Sequence, residues 1–263
     1  SGANITTGLY NSFFGYQTGT SNTTGSNNVF LGYMSGFSNE GANNNVFIGN
    51  ESGYNVTTGY GNVYVGYQVG RNDTTSYYNS FMGYQAGLNN SGNYNSFFGF
   101  YSGRTNTGNY NAFYGPYAGY NNAGYANSFF GYASGYNNTD GGYNLFMGFY
   151  SGFSNTEGSN NVFMGNYSGY GNTTGNRNIM IGYYAGRYNT TASSNINLGY
   201  YSGYRNSTGS YNMYMGYRSG YNAGYGITND PEYNTYIGYE TGFNMRAGAY
   251  NTFLGYKSGY GTN

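Results

Sequence analysis

Asn79-Ser80-Phe81-Met82-Gly83-Tyr84-Gln85-Ala86-Gly87 is one copy of a phrase that recurs along the whole 263-residue chain. An Asn opens it and three mostly apolar residues follow. Then come Gly, usually Tyr, a free position, a small residue and a second Gly. Fifteen copies place the first glycine at Gly15, Gly32, Gly49, Gly66, Gly83, Gly99, Gly115, Gly131, Gly148, Gly165, Gly182, Gly199, Gly216, Gly238 and Gly255. The intervals are 17 residues ten times, 16 three times and 22 once. Both glycines and the Asn occur in every copy. Strict self-similarity at a short period marks a solenoid, whose units bury their apolar side only by stacking on neighbours. The spacing predicts an all-β, parallel β-solenoid (β-roll or β-helix) of about 15 coils with a 16–17 residue repeat, oligomeric, forming a single repeat domain over 1–263. Both ends break off part-way through a coil, so neither is expected to carry a cap.

Each repeat divides into three parts. The apolar run before the first Gly, such as Val29-Phe30-Leu31 or Ile179-Met180-Ile181, is β-branched and aromatic and reads as a strand of about four or five residues. The Tyr-x-small-Gly segment, as in Tyr67-Gln68-Val69-Gly70, suits a second short strand. The Asn/Thr/Gly connector, as in Asn22-Thr23-Thr24-Gly25, is built of turn formers. Two obligatory glycines per repeat disfavour helix by about 2 kcal/mol. The 22-residue interval predicts an inserted loop at 222–233, and Pro116 suits a turn or strand end.

Alternate strand residues face opposite sides. If Leu31, Ile48 and Val65 face the coil interior, the residue before each points outward, and it is nearly always aromatic: Phe13, Phe30, Phe47, Tyr64, Phe81, Phe97, Phe113, Phe129, Phe146 and Phe163. Such a column would exceed the apolar patch a monomer normally exposes. These ten residues are therefore the expected oligomer interface, interrupted at Met180 and Asn197. The invariant asparagines, Asn11, Asn28, Asn45, Asn62, Asn79, Asn95, Asn111, Asn127, Asn144, Asn161, Asn178, Asn195, Asn212, Asn234 and Asn251, are expected to form a ladder in which each side-chain amide bonds the next.

Composition narrows the chemistry. Eight basic residues balance eight acidic ones, and only 6 % of residues are charged. The cations are scattered, whereas a nucleic-acid binder gathers a basic face to neutralise phosphates. No apolar run reaches the length of a membrane span. With no His and no Cys, the usual nucleophilic triads are excluded. Asp230 and Glu232 are the one close carboxylate pair and read as a solvated acidic loop. No Asp recurs per turn as a calcium-binding β-roll requires. The expectation is no enzyme, no metal, no cofactor, no nucleic-acid partner and no membrane insertion. Asn-x-Ser/Thr triplets at Asn22, Asn55, Asn72, Asn89, Asn137, Asn172, Asn189 and Asn206 fall in connectors and are candidate glycosylation sites.

The phrase Asn-x-apolar-apolar-Gly, followed by small-Gly and Thr-Gly, resembles the head repeats of trimeric autotransporter adhesins and related phage tail-fibre and cell-surface repeats. The resemblance covers nearly the whole chain. It implies a left-handed parallel β-roll with three chains packed side by side. The present repeats are longer and richer in Tyr and Phe, and no neck, coiled-coil stalk or anchor pattern accompanies them. A looser similarity is to curli-type amyloid subunits, whose ladders recur at longer spacing.

The expected role is a non-enzymatic, extracellular or cell-surface structural or adhesive fibre component that self-assembles through its aromatic stripe and its ends. Two alternatives stand beside it. One is a shaft of an adhesin or virion tail fibre that binds surface glycans or a receptor. The other is a functional-amyloid-like biofilm fibre.

Overall fold

The computed structural model describes residues 1–226 and 231–261. The chain is an all-β, parallel β-solenoid, and no helix occurs among the described residues. Its contacts group into two compact units, Ser1–Asn127 and Ser128–Asn263. The first holds β1 (Ser12–Phe14), β2 (Val29–Leu31), β3 (Val46–Ile48), β4 (Val63–Val65), β5 (Ser80–Met82), β6 (Ser96–Phe98) and β7 (Ala112–Tyr114). The second holds β8 (Ser128–Phe130), β9 (Leu145–Met147), β10 (Val162–Met164), β11 (Ile179–Ile181), β12 (Ile196–Leu198), β13 (Met213–Met215), β14 (Thr235–Ile237) and β15 (Thr252–Leu254). Within each unit consecutive strands pair in parallel with equivalent positions aligned, Phe30 opposite Phe47 and Phe146 opposite Phe163. Across the 22-residue interval β13 and β14 keep the same register, Tyr214 opposite Tyr236.

The aromatic column lies inside the coil. Phe30, Phe47, Tyr64, Phe81, Phe97, Phe113, Phe129, Phe146 and Phe163 are fully or almost fully buried, and Phe13 is half-buried. Their rings stack face to face, with centroids 4.5 Å apart for Phe81 and Phe97 and 5.0 Å for Phe47 and Tyr64. This overturns the expectation that these ten residues form the oligomer interface. The flanking residues, Val29 and Leu31 for example, face solvent instead. The reason is the cross-section of the coil. A β-carbon built on Gly36 would lie 2.5 Å from the Phe30 ring, so the ring fills the space up to the opposite backbone. Each buried ring contributes about 1.5–3 kcal/mol of hydrophobic stabilisation, and stacking adds about 0.5–1.5 kcal/mol. Neighbouring coils supply each other with the lid that one coil lacks.

The Tyr-x-small-Gly segment is a turn, not the expected second strand. Gly32 (φ 135°), Met34 (φ 52°) and Gly36 (φ 58°) put three positive-φ positions into five residues, which no extended strand accepts. The small residue serves the turn: buried Ser35 donates its hydroxyl to the Phe47 carbonyl at 2.9 Å, and Ser52 repeats this to Tyr64 at 3.0 Å.

The Asn column is buried and stacked, but most of its rungs run from side chain to backbone. Asn28 Oδ1 accepts the backbone N–H of Asn45 at 3.0 Å, while Asn28 Nδ2 donates to the Ala42 carbonyl at 2.7 Å. The pattern repeats at Asn45 with Asn62 (2.9 Å) and at Asn161 with Asn178 (2.9 Å). One amide side chain therefore satisfies a backbone donor and a backbone acceptor that the interior would otherwise leave unpaired.

A second interior ladder stands eleven residues after the first. Asn155 donates to Asn138 at 2.6 Å and Asn172 to Asn155 at 2.6 Å, amide to amide. Asn106 and Asn122 form the same links at 2.9 and 2.7 Å in the first unit. Of the expected inserted loop at 222–233, residues 227–230 lie outside the described residues, and with them Asp230.

Candidate interaction surface

The inward placement of the ring column turns its two neighbours outward in every strand. Val29, Leu31, Val63, Met82, Ile179 and Ile181 are each exposed by 38–48 %. Beside them runs the residue after the first Gly, most often Tyr: Tyr33, Tyr67 and Tyr84 in the first unit, Tyr183, Tyr200 and Tyr239 in the second, all exposed. These tyrosines stack along the axis, with centroids 5.0 Å apart for Tyr67 and Tyr84 and 5.2 Å for Tyr183 and Tyr200. The other border carries Tyr78, Tyr94 and Tyr110, and further on Tyr211, Tyr233 and Tyr250, the last three spaced 4.9 and 5.1 Å. The three columns of the sheet face contain no charged residue in any of the fifteen copies. Tyr183 is pushed up to about 12 by its hydrogen bond to Tyr184 and by partial desolvation.

Charge lies on the turn and connector sides and, in one copy, in the bordering column, where Arg177 replaces a tyrosine. Arg71 pairs with Glu51 at 2.6 Å and holds that carboxyl below its usual range. Arg218 and Lys257 both approach Glu240 at 3.5 Å. A second aromatic seam runs on the turn side, where Phe153 and Tyr170 stack at 5.3 Å and Tyr204 and Tyr221 at 5.0 Å. Arg187 sits within this seam, 4.7 Å from the Tyr184 ring centre and 5.2–5.5 Å from those of Tyr167, Tyr170 and Tyr188.

The candidate glycosylation sites divide. Asn22, Asn172, Asn189 and Asn206 are buried at the positions of the second ladder, with Asn22 Nδ2 donating to the Gly25 carbonyl at 3.1 Å. They cannot accept a glycan in the folded coil. Asn55, Asn72, Asn89 and Asn137 are half-buried or exposed, the first three joined by side-chain bonds of 3.2 and 2.6 Å. Among the described residues no three His, Cys, Asp or Glu side chains gather as a metal site. Among the described residues no helix is long and apolar enough to cross a membrane.

Two functional features escape a reading of the sequence alone. The exposed stripe is made of the residues flanking the aromatic column, and half of the glycan-acceptor triplets belong to the second Asn ladder. The ladder's own signal is present, since Asn recurs at that position in ten copies. Comparisons with protein-family models, with curated proteins and with solved structures each find no match.

Proposed function

We propose that this chain is a non-enzymatic structural or adhesive solenoid of the extracellular space or cell surface, which associates with copies of itself through the outer face of its sheet. The observation that carries the reading is the uncharged face of mostly aliphatic, Met, Phe and Tyr side chains, with Ser, Thr or Asn in some copies. Interface cores are depleted of charge and enriched in aromatic residues and Met. A contiguous exposed patch of this kind marks an interaction site. The same uncharged columns recur in register along each unit, so a partner with the same repeat meets equivalent side chains at every coil, and weak contacts sum. The resemblance to trimeric adhesin heads agrees with this reading, as does a formal net charge of zero, which offers little self-repulsion.

Mass photometry and electron microscopy of the purified chain test it. Discrete oligomers or filaments are expected for the parent. The double variant Val63→Lys/Met82→Lys places two cations on the face of the first unit without touching the core. It is expected to shift the population toward monomers with an unchanged circular-dichroism spectrum. A parent that stays monomeric at high concentration would sink the reading.

A further inference from the structure

The 22-residue interval alters one place on the connector side of the second unit. A cleft of about 310 Å³ opens there, lined by Tyr188, Arg205, Ser207, Gly224, Tyr225 and Gly226. None of these residues belongs to a strand, so the cleft is separate from the sheet face. Its volume lies at the lower end of the range of small-ligand sites. The Arg205 guanidinium sits over Tyr225, its central carbon 3.9 Å from the ring centre. Among the described residues it makes no ion pair, unlike Arg71 and Arg218. The Ser207 hydroxyl and the Gly226 N–H likewise make no hydrogen bond among the described residues. Half-exposed rings of Tyr188 and Tyr225 border these three donors.

We propose that this cleft binds a carboxylated sugar, such as a uronic acid residue of an acidic glycan. The guanidinium is held with its planar fork available, the geometry that takes a carboxylate bidentately. Its attachment to Tyr225 lowers the entropy lost on binding. The tyrosine rings offer apolar faces to pyranose C–H groups, and Ser207 and Gly226 supply donors to ring hydroxyls. Arg246 also stands over the Tyr225 ring, 5.9 Å from its centre, so charge alone does not separate a carboxylate from a phosphate. The tyrosine faces, which a phosphate cannot use, select the sugar. The site goes beyond the association proposed above and does not depend on it.

Titration calorimetry of the full chain with methyl β-D-glucuronide tests the proposal, with methyl β-D-glucoside and inorganic phosphate as comparators. Glucuronide is expected to bind saturably, at least about tenfold more tightly than glucoside, as a charge-assisted pair requires. Arg205→Gln should weaken it by about tenfold or more, and Tyr225→Ala should weaken both sugars. Arg205→Lys keeps the charge but not the fork and should fall between. Thermal midpoints establish that the variants are folded. The Val63→Lys/Met82→Lys protein should bind as the parent does, which separates this site from self-association. Absence of saturable binding, equal affinity for glucoside, displacement by phosphate at equal concentration, or an Arg205→Gln variant that binds like the parent would each overturn the assignment.

Discussion

The Tyr64 hydroxyl donates a hydrogen bond of 2.5 Å to Asp73 Oδ2 inside the coil, and both residues depart from the repeat. Tyr64 stands where most copies have Phe, and Asp73 where most have Asn. The carboxyl also accepts the Ser76 N–H at 3.1 Å and an Asn90 Nδ2–H at 3.2 Å. The two departures compensate each other: the added hydroxyl meets the added acceptor. Removing only the hydroxyl, in Tyr64→Phe, is expected to destabilise by about 1–3 kcal/mol. The double change Tyr64→Phe/Asp73→Asn restores the repeat pattern and is expected to recover that loss. A double-mutant cycle by urea denaturation measures the coupling.

Burial raises the Asp73 pKa above its ordinary value of 3.8, against the opposing hydrogen bonds from Tyr64, Ser76 and Asn90. The folded chain then keeps this proton at pH values where the unfolded chain has released it. The contribution to stability is full below 3.8 and is lost as pH rises through the raised folded value. Stability from this group should therefore increase on acidification from neutral, with a slope of about 1.4 kcal/mol per pH step of one between the folded and unfolded pKa values. Asp73→Asn should abolish that increase, as denaturation midpoints across the acid range would record.

Asn39 is buried with neither side-chain nitrogen nor oxygen bonded, and so is Asn189. In both coils the residue three positions later is Ala (Ala42, Ala192), where Asn22 and Asn155 face Gly and bond its carbonyl. A β-carbon built on Gly25 would lie 2.5 Å from Asn22 Oδ1, so the alanine methyl excludes that bond. One coil beyond Asn39 the same position is Val56, fully buried. Asn39→Val is accordingly expected to stabilise by about 1 kcal/mol or more, because it removes an unpaired amide. Thermal denaturation decides the sign.

Gly36 has a φ of 58° and faces the Phe30 ring, whereas Gly41 lies in a connector where a β-carbon would meet only the Thr24 hydroxyl at 3.1 Å. Gly36→Ala should cost about 2–5 kcal/mol from left-handed strain and overpacking together. Gly41→Ala should stay within about 1 kcal/mol of the parent. Comparing the two melting temperatures separates the structural glycine from the incidental one.

Arg187 is surrounded by four tyrosine rings in the turn-side seam. Arg187→Lys preserves charge but loses the flat guanidinium, and is expected to cost about 0.5–2 kcal/mol. Equilibrium unfolding of the variant provides the measurement.

The period, the strand positions and the parallel stacking are legible in the sequence because spacing alone carries them. Which strand face points inward is not. Alternation states that Val29 and Leu31 share a side opposite Phe30, but it is silent on which side is enclosed. The answer lies in a long-range fit, the Phe30 ring against Gly36, and in the in-register stack that only the assembled coil displays. The Tyr-x-small-Gly turn is hidden for a related reason. Its positive-φ positions are occupied by Gln17, Met34 and Glu51 as well as by glycine, and such residues give no local warning. The cleft at Arg205 is foreshadowed only as an insertion, since its two tyrosines come from separate coils.

Between β13 and β14 twenty-two residues advance the chain by one strand, as sixteen or seventeen do elsewhere. Sequence length and axial rise are thus uncoupled at the connector. One side of the coil behaves as a writable margin beside a fixed column of text: the length of chain there changes, while the strands opposite keep their register.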